Sequence, residues 1–331
     1  MRKLCLLDVV EGYYASQVVL ELYRSDVFKL LAEGVEARDI ARRLEYDENA
    51  FLSILEYLRK TTDLVVRPQG GSYALNSKYE IHDRFGFFID KFLGAYGQPL
   101  ARLNESLRSP TLGRALVDEV CLARAFSKLE KPFGKVIVGL IRESGAKSLL
   151  DLGCGPGTIL RELASGDPSF RGWGVDASAA MCETASSLVD AAGLGRRIRI
   201  VRSDVLNLHA HLEGHERRRV EALHARSLMN EFFRNGTREA VLLLNTIKRL
   251  FTGRPLFVVD YYGKLDRPRD FPRRYRHTLL HDLAQVVSAQ GIPPANLRGW
   301  AELYRDAGCD VVHAYEGESE GIQWFIHHVQ L

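Results

Sequence analysis

Three glycines at alternate positions, Gly153, Gly155 and Gly157 in LLDLGCGPGT, separate a strand-like apolar run from a helix-like one. Without a Cβ, such a turn bends sharply and lets the backbone approach a ligand closely. Asp151 precedes the glycines on the strand. Asp176, 25 residues further on, ends the run GWGVD, where one carboxylate can accept two ribose hydroxyls. Asp204 ends the following run, IRIVRSD, where an acid can meet a purine amino group. A glycine turn alone is weak evidence, since many α/β proteins have one. Three acids at successive strand tips around it describe a site for a nucleoside.

A second polar group, Asn230 and Glu231 in SLMNEFF, follows the next apolar run, VEALHAR. A carboxylate there would attract a cationic amine or guanidinium and hold it by charge-assisted hydrogen bonds. The Asn230 amide supplies an acceptor and a donor to the same nitrogenous group. The competing reading is structural, with Asn230 or Glu231 capping the helix FRNGTREAVLLLNTIKRLF. His224, inside VEALHAR, is placed within the strand and is set aside as a base.

The elements that position these residues follow from periodicity. After about residue 145, apolar strands (KSLLDLG, GWGVDAS, IRIVRSD, VEALHAR, PLFVVDYY) alternate with helical segments. That alternation predicts a parallel sheet covered by helices on both faces. The tail, DVVHAYEGESEGIQWFIHHVQL, reads as two strands joined by a hairpin, an antiparallel edge closing the sheet. Before residue 135 the pattern is mostly helical. VVLELYRSDVFKLLAEG reads as an apolar-periodic run stopping at Gly34, and EARDIARRLEYDENAFLSILEYLRKTTDLVV as helix, turn, helix. VVRPQGGSYALN then reads as a hairpin turning at Gly70 and Gly71. Together these make a winged-helix unit. Residues 80–140 are the least legible and are expected to be bridging helices.

Composition excludes several classes. The 331 residues carry a net charge of +3, with 46% apolar and 26% charged residues, an ordinary globular balance. Between Glu36 and Asp63 seven acids face five bases, so the helical unit is a poor match for a phosphate backbone. The five cysteines form no CxxC pair, which fits free thiols in a reducing compartment. No run is long and apolar enough for a membrane span, and the N-terminal apolar run is broken by Asp8 and Glu11. A cytoplasmic protein without nucleic-acid or membrane partners is expected.

The GCGPG turn with Asp176 and Asp204 resembles the S-adenosylmethionine site of class I methyltransferases, and its spacing differs from the GxGxxG of NAD enzymes. The resemblance implies the donor's amino-acid end near Asp151 and Gly153, its ribose on Asp176, and its adenine near Asp204 and Val205. A winged-helix unit before such a sheet, with RGWAELYRDAGCDVVHA late in the chain, resembles the small-molecule O-methyltransferases of plants and of bacterial secondary metabolism, including antibiotic biosynthesis. That likeness implies a homodimer joined through the N-terminal domain and an α/β Rossmann-like seven-stranded catalytic domain. The expected boundaries are residues 1–100 for the winged-helix dimerisation domain, 101–140 for a helical bridge and lid, and 141–331 for the methyltransferase domain.

In that family the segment after the fourth strand carries a basic histidine. Here Asn230 and Glu231 stand at the matching positions, and Phe232 where a tryptophan would be. Asparagine has no useful basicity, so the family's phenol chemistry does not carry over. The preferred acceptor is therefore a nitrogen, an amine or the guanidinium of an arginine-like amino acid, anchored by Glu231. By analogy of site chemistry, protein arginine methyltransferases also hold a guanidinium with glutamates. The alternative acceptors are the carbon of an α-keto acid, a phenolic oxygen, or none, in a regulator that only senses the donor.

Further candidates flank these. His277 and His281, four apart on one helix face, could bind a metal with Asp260 or Asp282 and so support α-keto-acid chemistry. The preferred reading has no metal and places His281 in the pocket wall. Tyr261 and Tyr262 stand at the end of the fifth strand, Tyr261 read as a substrate contact with aromatic packing as the competing reading, and Tyr96 and Glu119 lie in the bridging region as further substrate contacts, with Phe126 as a wall of the donor site. The arginine-rich RPRDFPRRYRH reads as a solvated face.

Overall fold

The computed structural model describes residues 4–68, 71–79, 84–128, 132–265, 275–319 and 321–331. The N-terminal part packs four helices, Leu6–Arg24, Val27–Ala32, Ala37–Arg43 and Glu48–Thr61, against a small antiparallel pair, β1 (Val65–Val66) and β2 (Ala74–Leu75). The run read as continuous up to Gly34 breaks at Ser25. The Ser25 hydroxyl donates back to the Glu21 carbonyl at 2.8 Å, and Asp26 enters the left-handed region at φ 57°. The second helix then ends at Gly34, whose φ of 78° lets the Val35 N–H reach back to the Leu30 carbonyl. Asp47 starts the fourth helix by accepting from the Ala50 N–H at 2.8 Å. Val27, Phe28, Leu31, Ile40, Phe51, Leu55 and Leu58 form this part's own core. Of the two glycines assigned to the hairpin turn, Gly70 lies outside the described residues.

Short helices follow, among them a π-helical segment, Ile89–Ala95. Its Asp90 is buried and accepts from the Tyr23 hydroxyl, Arg124 Nε and Lys128 Nζ at 2.9, 2.8 and 2.7 Å, which ties the first helix to helix Glu119–Lys128. These partners hold the Asp90 carboxyl below its ordinary range despite the opposing effect of burial.

The remaining strands are β3 (Ser148–Leu152), β4 (Arg171–Asp176), β5 (Ile198–Arg202), β6 (Ala222–Arg226), β7 (Pro255–Tyr261), β8 (Asp310–Ser319) and β9 (Ile322–Gln330). They form one seven-stranded sheet in the order β5-β4-β3-β6-β7-β9-β8. Successive residues point to opposite faces: Leu150, Leu223 and Leu256 enter one buried cluster, while Leu149, Ala222 and Phe257 enter another. Both faces are covered, which explains the unbroken apolar strands. The tail forms a hairpin, with one correction to its placement. The antiparallel strand is β9, inserted between β7 and β8, so the edge strand β8 runs with the parallel set. No described helix is long and apolar enough to cross a membrane.

The chain runs outward from β3 to β5, then returns to place β6 on the other side of β3. A crevice opens where the order reverses, beyond the carboxyl ends of β3 and β6.

Candidate active site

A cavity of about 350 Å³ fills that crevice, lined by the glycine turn, the tips of β4, β5 and β6, and the helices between residues 96 and 126. Its size suits a small organic ligand. Gly153 and Gly155 line it with φ of 64° and 51°, a conformation that strains any side chain. Gly157 does not line it. That glycine, at φ 67°, starts helix Thr158–Gly166 and packs where a Cβ would lie 3.5 Å from Ala185.

Asp176 reaches back over the turn. Its Oδ2 accepts from the Gly155 N–H and its Oδ1 from the Ser178 N–H, both at 2.9 Å. Burial raises its pKa, and those two N–H bonds oppose the rise. Each oxygen keeps a lone pair toward the cavity. Asp204 and Val205 line the wall beyond, with Asp204 capping a short turn by accepting from the Leu206 N–H at 2.8 Å. These groups are the right kind to hold an adenosine: bare backbone, two free acceptors for a diol, and an acid beside an apolar residue.

Asp151, 2% exposed, forms part of the floor and accepts from His224 Nδ1 at 2.7 Å. Its other ring nitrogen, Nε2, is buried without a hydrogen-bond partner among the described residues. His224 and Arg226 lie two apart on β6 and both line the cavity, next to Ser227 in the left-handed region at φ 50°. Burial lowers the pKa of Arg226 while the Asp151 charge opposes the fall. Sequence reasoning set His224 aside and missed Arg226. The available signal was the period of two along VEALHAR, which puts both on one face.

At the other end, Glu231 projects from the turn Met229–Phe232 and accepts from Arg114 Nη2 at 2.8 Å. Both line the cavity, with Tyr96, Leu122, Phe126, Phe232 and Gln290. The Glu231 charge is the main reason the Arg114 pKa is raised. Burial pushes the Tyr96 phenol up, and Glu231 adds to it. Neither Asn230 nor Glu231 caps the next helix, which runs Arg238–Leu250 from Thr237. Asn230 is a correction in another sense. It is 1% exposed, its N–H donates to Asp260 Oδ2 at 3.0 Å, and its side chain does not line the cavity. Glu231 and Phe232 line the cavity, while Met229 and Asn230 are buried. Burial pushes the Asp260 carboxyl up to about 7.

Tyr261 and His281, expected as substrate contacts, do not line the cavity either. The Tyr261 hydroxyl donates to Asp282 Oδ1 at 2.9 Å and its ring lies 4.5 Å from that of His281, under helix Arg276–Val287. Tyr262 is likewise turned away, bonded to Glu316. Glu119 does line the cavity, but at the donor end, where its carboxylate accepts from the Ser178 hydroxyl at 2.7 Å.

The proposed metal set does not fit. Asp282 Oδ2 accepts from the Lys264 and Leu265 N–H groups. The His277 ring packs 4.6 Å from Phe88 and 5.6 Å from Phe92. His281 Nδ1 faces Lys91 Nζ at 3.2 Å. Among the described residues no three His, Cys, Asp or Glu side chains converge for a metal. Most of the arginine-rich loop, residues 266–274, lies outside the described residues.

Residues 149–243 match the family described as "Methyltransferase domain". A stretch of 181 residues is 25% identical to the 2-ketoarginine methyltransferase of Streptomyces arginensis, covering 53% of this chain and 52% of that protein, about half of the relative's length. The fold is similar to that of the mitomycin 7-O-methyltransferase, with a TM-score of 0.74 at 17% identity over 98% of this chain and 96% of that one. Human N-acetylserotonin methyltransferase in complex with S-adenosylmethionine gives 0.71 at 16% over 98% and 96%. An N,N-8-amino-8-demethyl-D-riboflavin dimethyltransferase from Streptomyces davawensis gives 0.61 at 18% over 98% of each chain. The matched methyltransferase domain spans the glycine turn and the carboxyl ends of β3, β4, β5 and β6 around the cavity, and the fold of the whole chain is that of these solved methyltransferases.

Proposed function

We propose that this chain transfers a methyl group from S-adenosylmethionine to a small, arginine-like molecule whose guanidinium or amine is anchored by Glu231. The observation carrying this reading is a carboxylate, Glu231, already paired with a guanidinium, that of Arg114, in the cavity wall. An acceptor guanidinium would replace Arg114 there, donating charge-assisted hydrogen bonds to the same carboxylate. The match to a 2-ketoarginine methyltransferase supports the same acceptor class.

In this reading the backbone at Gly153 and Gly155 and the floor at Asp151 receive the donor's amino-acid end. Asp176 takes the ribose hydroxyls, and Asp204 with Val205 takes the adenine. When bound, the donor supplies an electrophilic methyl carbon on a sulfonium. The protein's work is alignment and exclusion of water. Tyr96, Leu122, Phe126 and Phe232 enclose the acceptor, and Glu231 orients its nitrogen and stabilises its charge as a proton leaves. A second reading, transfer to carbon of the corresponding α-keto acid, takes the keto acid in the same relative's name as acceptor and keeps Glu231 on the guanidinium. Calorimetry with S-adenosylhomocysteine, followed by turnover of arginine and 2-ketoarginine with a ¹³C-methyl donor, tests both. Micromolar donor-product binding and a labelled guanidino compound are expected, with the methyl chemical shift separating N–CH₃ from C–CH₃. No heat at millimolar nucleoside would end the proposal.

The N-terminal part is proposed as a winged-helix dimerisation domain. Its first helix leaves Leu6, Leu7, Val9, Val10, Tyr13 and Tyr14 exposed, a run that a second copy would cover. Sedimentation should give twice the chain mass, reduced to one by the double change Leu7→Glu, Val10→Glu. A monomer in the unaltered protein contradicts the dimer.

A further inference from the structure

Lys91 is 4% exposed, and no acidic side chain contacts its ammonium among the described residues. Its neighbour Asp90 faces away, toward Tyr23, Arg124 and Lys128. Lys91 Nζ is surrounded instead by the rings of Phe87, Phe92 and Phe126 at 5.4, 5.1 and 5.7 Å, and by His281 Nδ1 at 3.2 Å. His281 supplies no counter-charge: burial and the Lys91 charge hold the imidazole well below its usual pKa, and protonation would only add a second positive charge. Burial alone also pulls the Lys91 ammonium down to about 7. A buried cation without a counter-charge is costly, and aromatic faces return only part of that cost.

The placement of Lys91 relates it to the cavity. The π-helical segment bonds the Tyr96 N–H to the Lys91 carbonyl at 3.1 Å, so the two residues stand one wide turn apart on the same face. Tyr96 lines the cavity, as does Phe126, whose ring centre lies 5.7 Å from the ammonium. π-Helical turns recur at functional sites.

We propose that Lys91, with His281 beside it, is the anchor for a carboxylate of the methyl acceptor, reached when the acceptor displaces the Phe126 ring. The incoming carboxylate accepts from the ammonium and supplies the missing counter-charge in a dry, aromatic-walled pocket. The acceptor class narrows accordingly to molecules with an anionic end. This builds on the small-molecule acceptor reading above, but not on Glu231.

The test uses 2-oxopentanoate, a keto acid without a guanidinium, titrated into the S-adenosylhomocysteine-loaded protein and its Lys91→Met variant. Saturable binding is expected in the unaltered protein, weakened at least about tenfold in the variant. Equal affinity in the two, or no binding to the unaltered protein, overturns the proposal. The Tm of the unliganded proteins is the second readout. Methionine fills the same space without a charge, so Lys91→Met should raise Tm if the cation is held for a ligand. A fall in Tm, or lost donor-product affinity, would mean that Lys91 only supports the fold and would refute the assignment. Because the probe has no guanidinium, failure here leaves the Glu231 assignment standing, and the reverse also holds.

Discussion

Asp176→Ala should lower affinity for S-adenosylhomocysteine by about 10²- to 10⁴-fold. Two ribose hydroxyls donating to a carboxylate are worth about 1.5–3 kcal/mol each, and that sum sets the range. The loss is compounded because the same oxygens hold the Gly155 and Ser178 N–H groups, so the turn loses its tether to β4. Asp176→Asn separates the two effects. An amide oxygen can keep one backbone bond, but the amide nitrogen has no lone pair for a second hydroxyl. Burial raises the Asp176 pKa, so affinity should begin to fall with decreasing pH above the ordinary carboxylate range, as the acid takes up a proton. The asparagine variant should lack that dependence. Calorimetry across pH checks both points. An alanine variant within about threefold of the unaltered protein would remove Asp176 from the site.

Glu231→Gln is expected to lower kcat/KM for a guanidinium-bearing acceptor by about 10²- to 10³-fold while donor affinity stays unchanged. Removing the charge from one partner of a hydrogen-bonded pair costs roughly 2–5 kcal/mol in an excluded site, and solvent at this half-open position brings the effect toward the lower end. The side chains of Glu231 and Arg114 are 30% and 54% exposed, so the pair adds little to stability and Tm should barely move. Arg114→Gln is the control. If Glu231 only holds helix Pro110–Ala115 in place, both variants behave alike. If Glu231 anchors the acceptor, the Arg114 variant keeps its acceptor affinity or improves it, because a competing guanidinium is gone. Steady-state kinetics with donor and acceptor varied separately would show which holds. Equal kcat/KM in Glu231→Gln and the unaltered protein would leave the acceptor without its proposed anchor.

The groups proposed to hold the nucleoside could be picked out from the chain alone because their determinants are local. Gly153 and Gly155 must follow a strand and precede a helix, and Asp176 and Asp204 stand at strand ends whatever else the molecule does. The alternation of strands and helices likewise implied the covered parallel sheet, since an unbroken apolar strand has no other way to bury two faces. The acceptor half was not legible. The long-range pairings in and beside the cavity join Arg114 to Glu231 across 117 positions, His224 to Asp151 across 73, and Lys91 to His281 across 190. No local period encodes such separations. Asn230, Tyr261 and His281 show the same limit from the other side. Each sits in the segment that sequence reasoning assigned to the site, yet the turn at Met229–Phe232 and the packing of helix Arg276–Val287 over β7 direct their side chains into the interior. Backbone preference and hydrophobic period decide which elements form and where their ends fall. Which side chains then meet across the cavity is decided only when those elements pack.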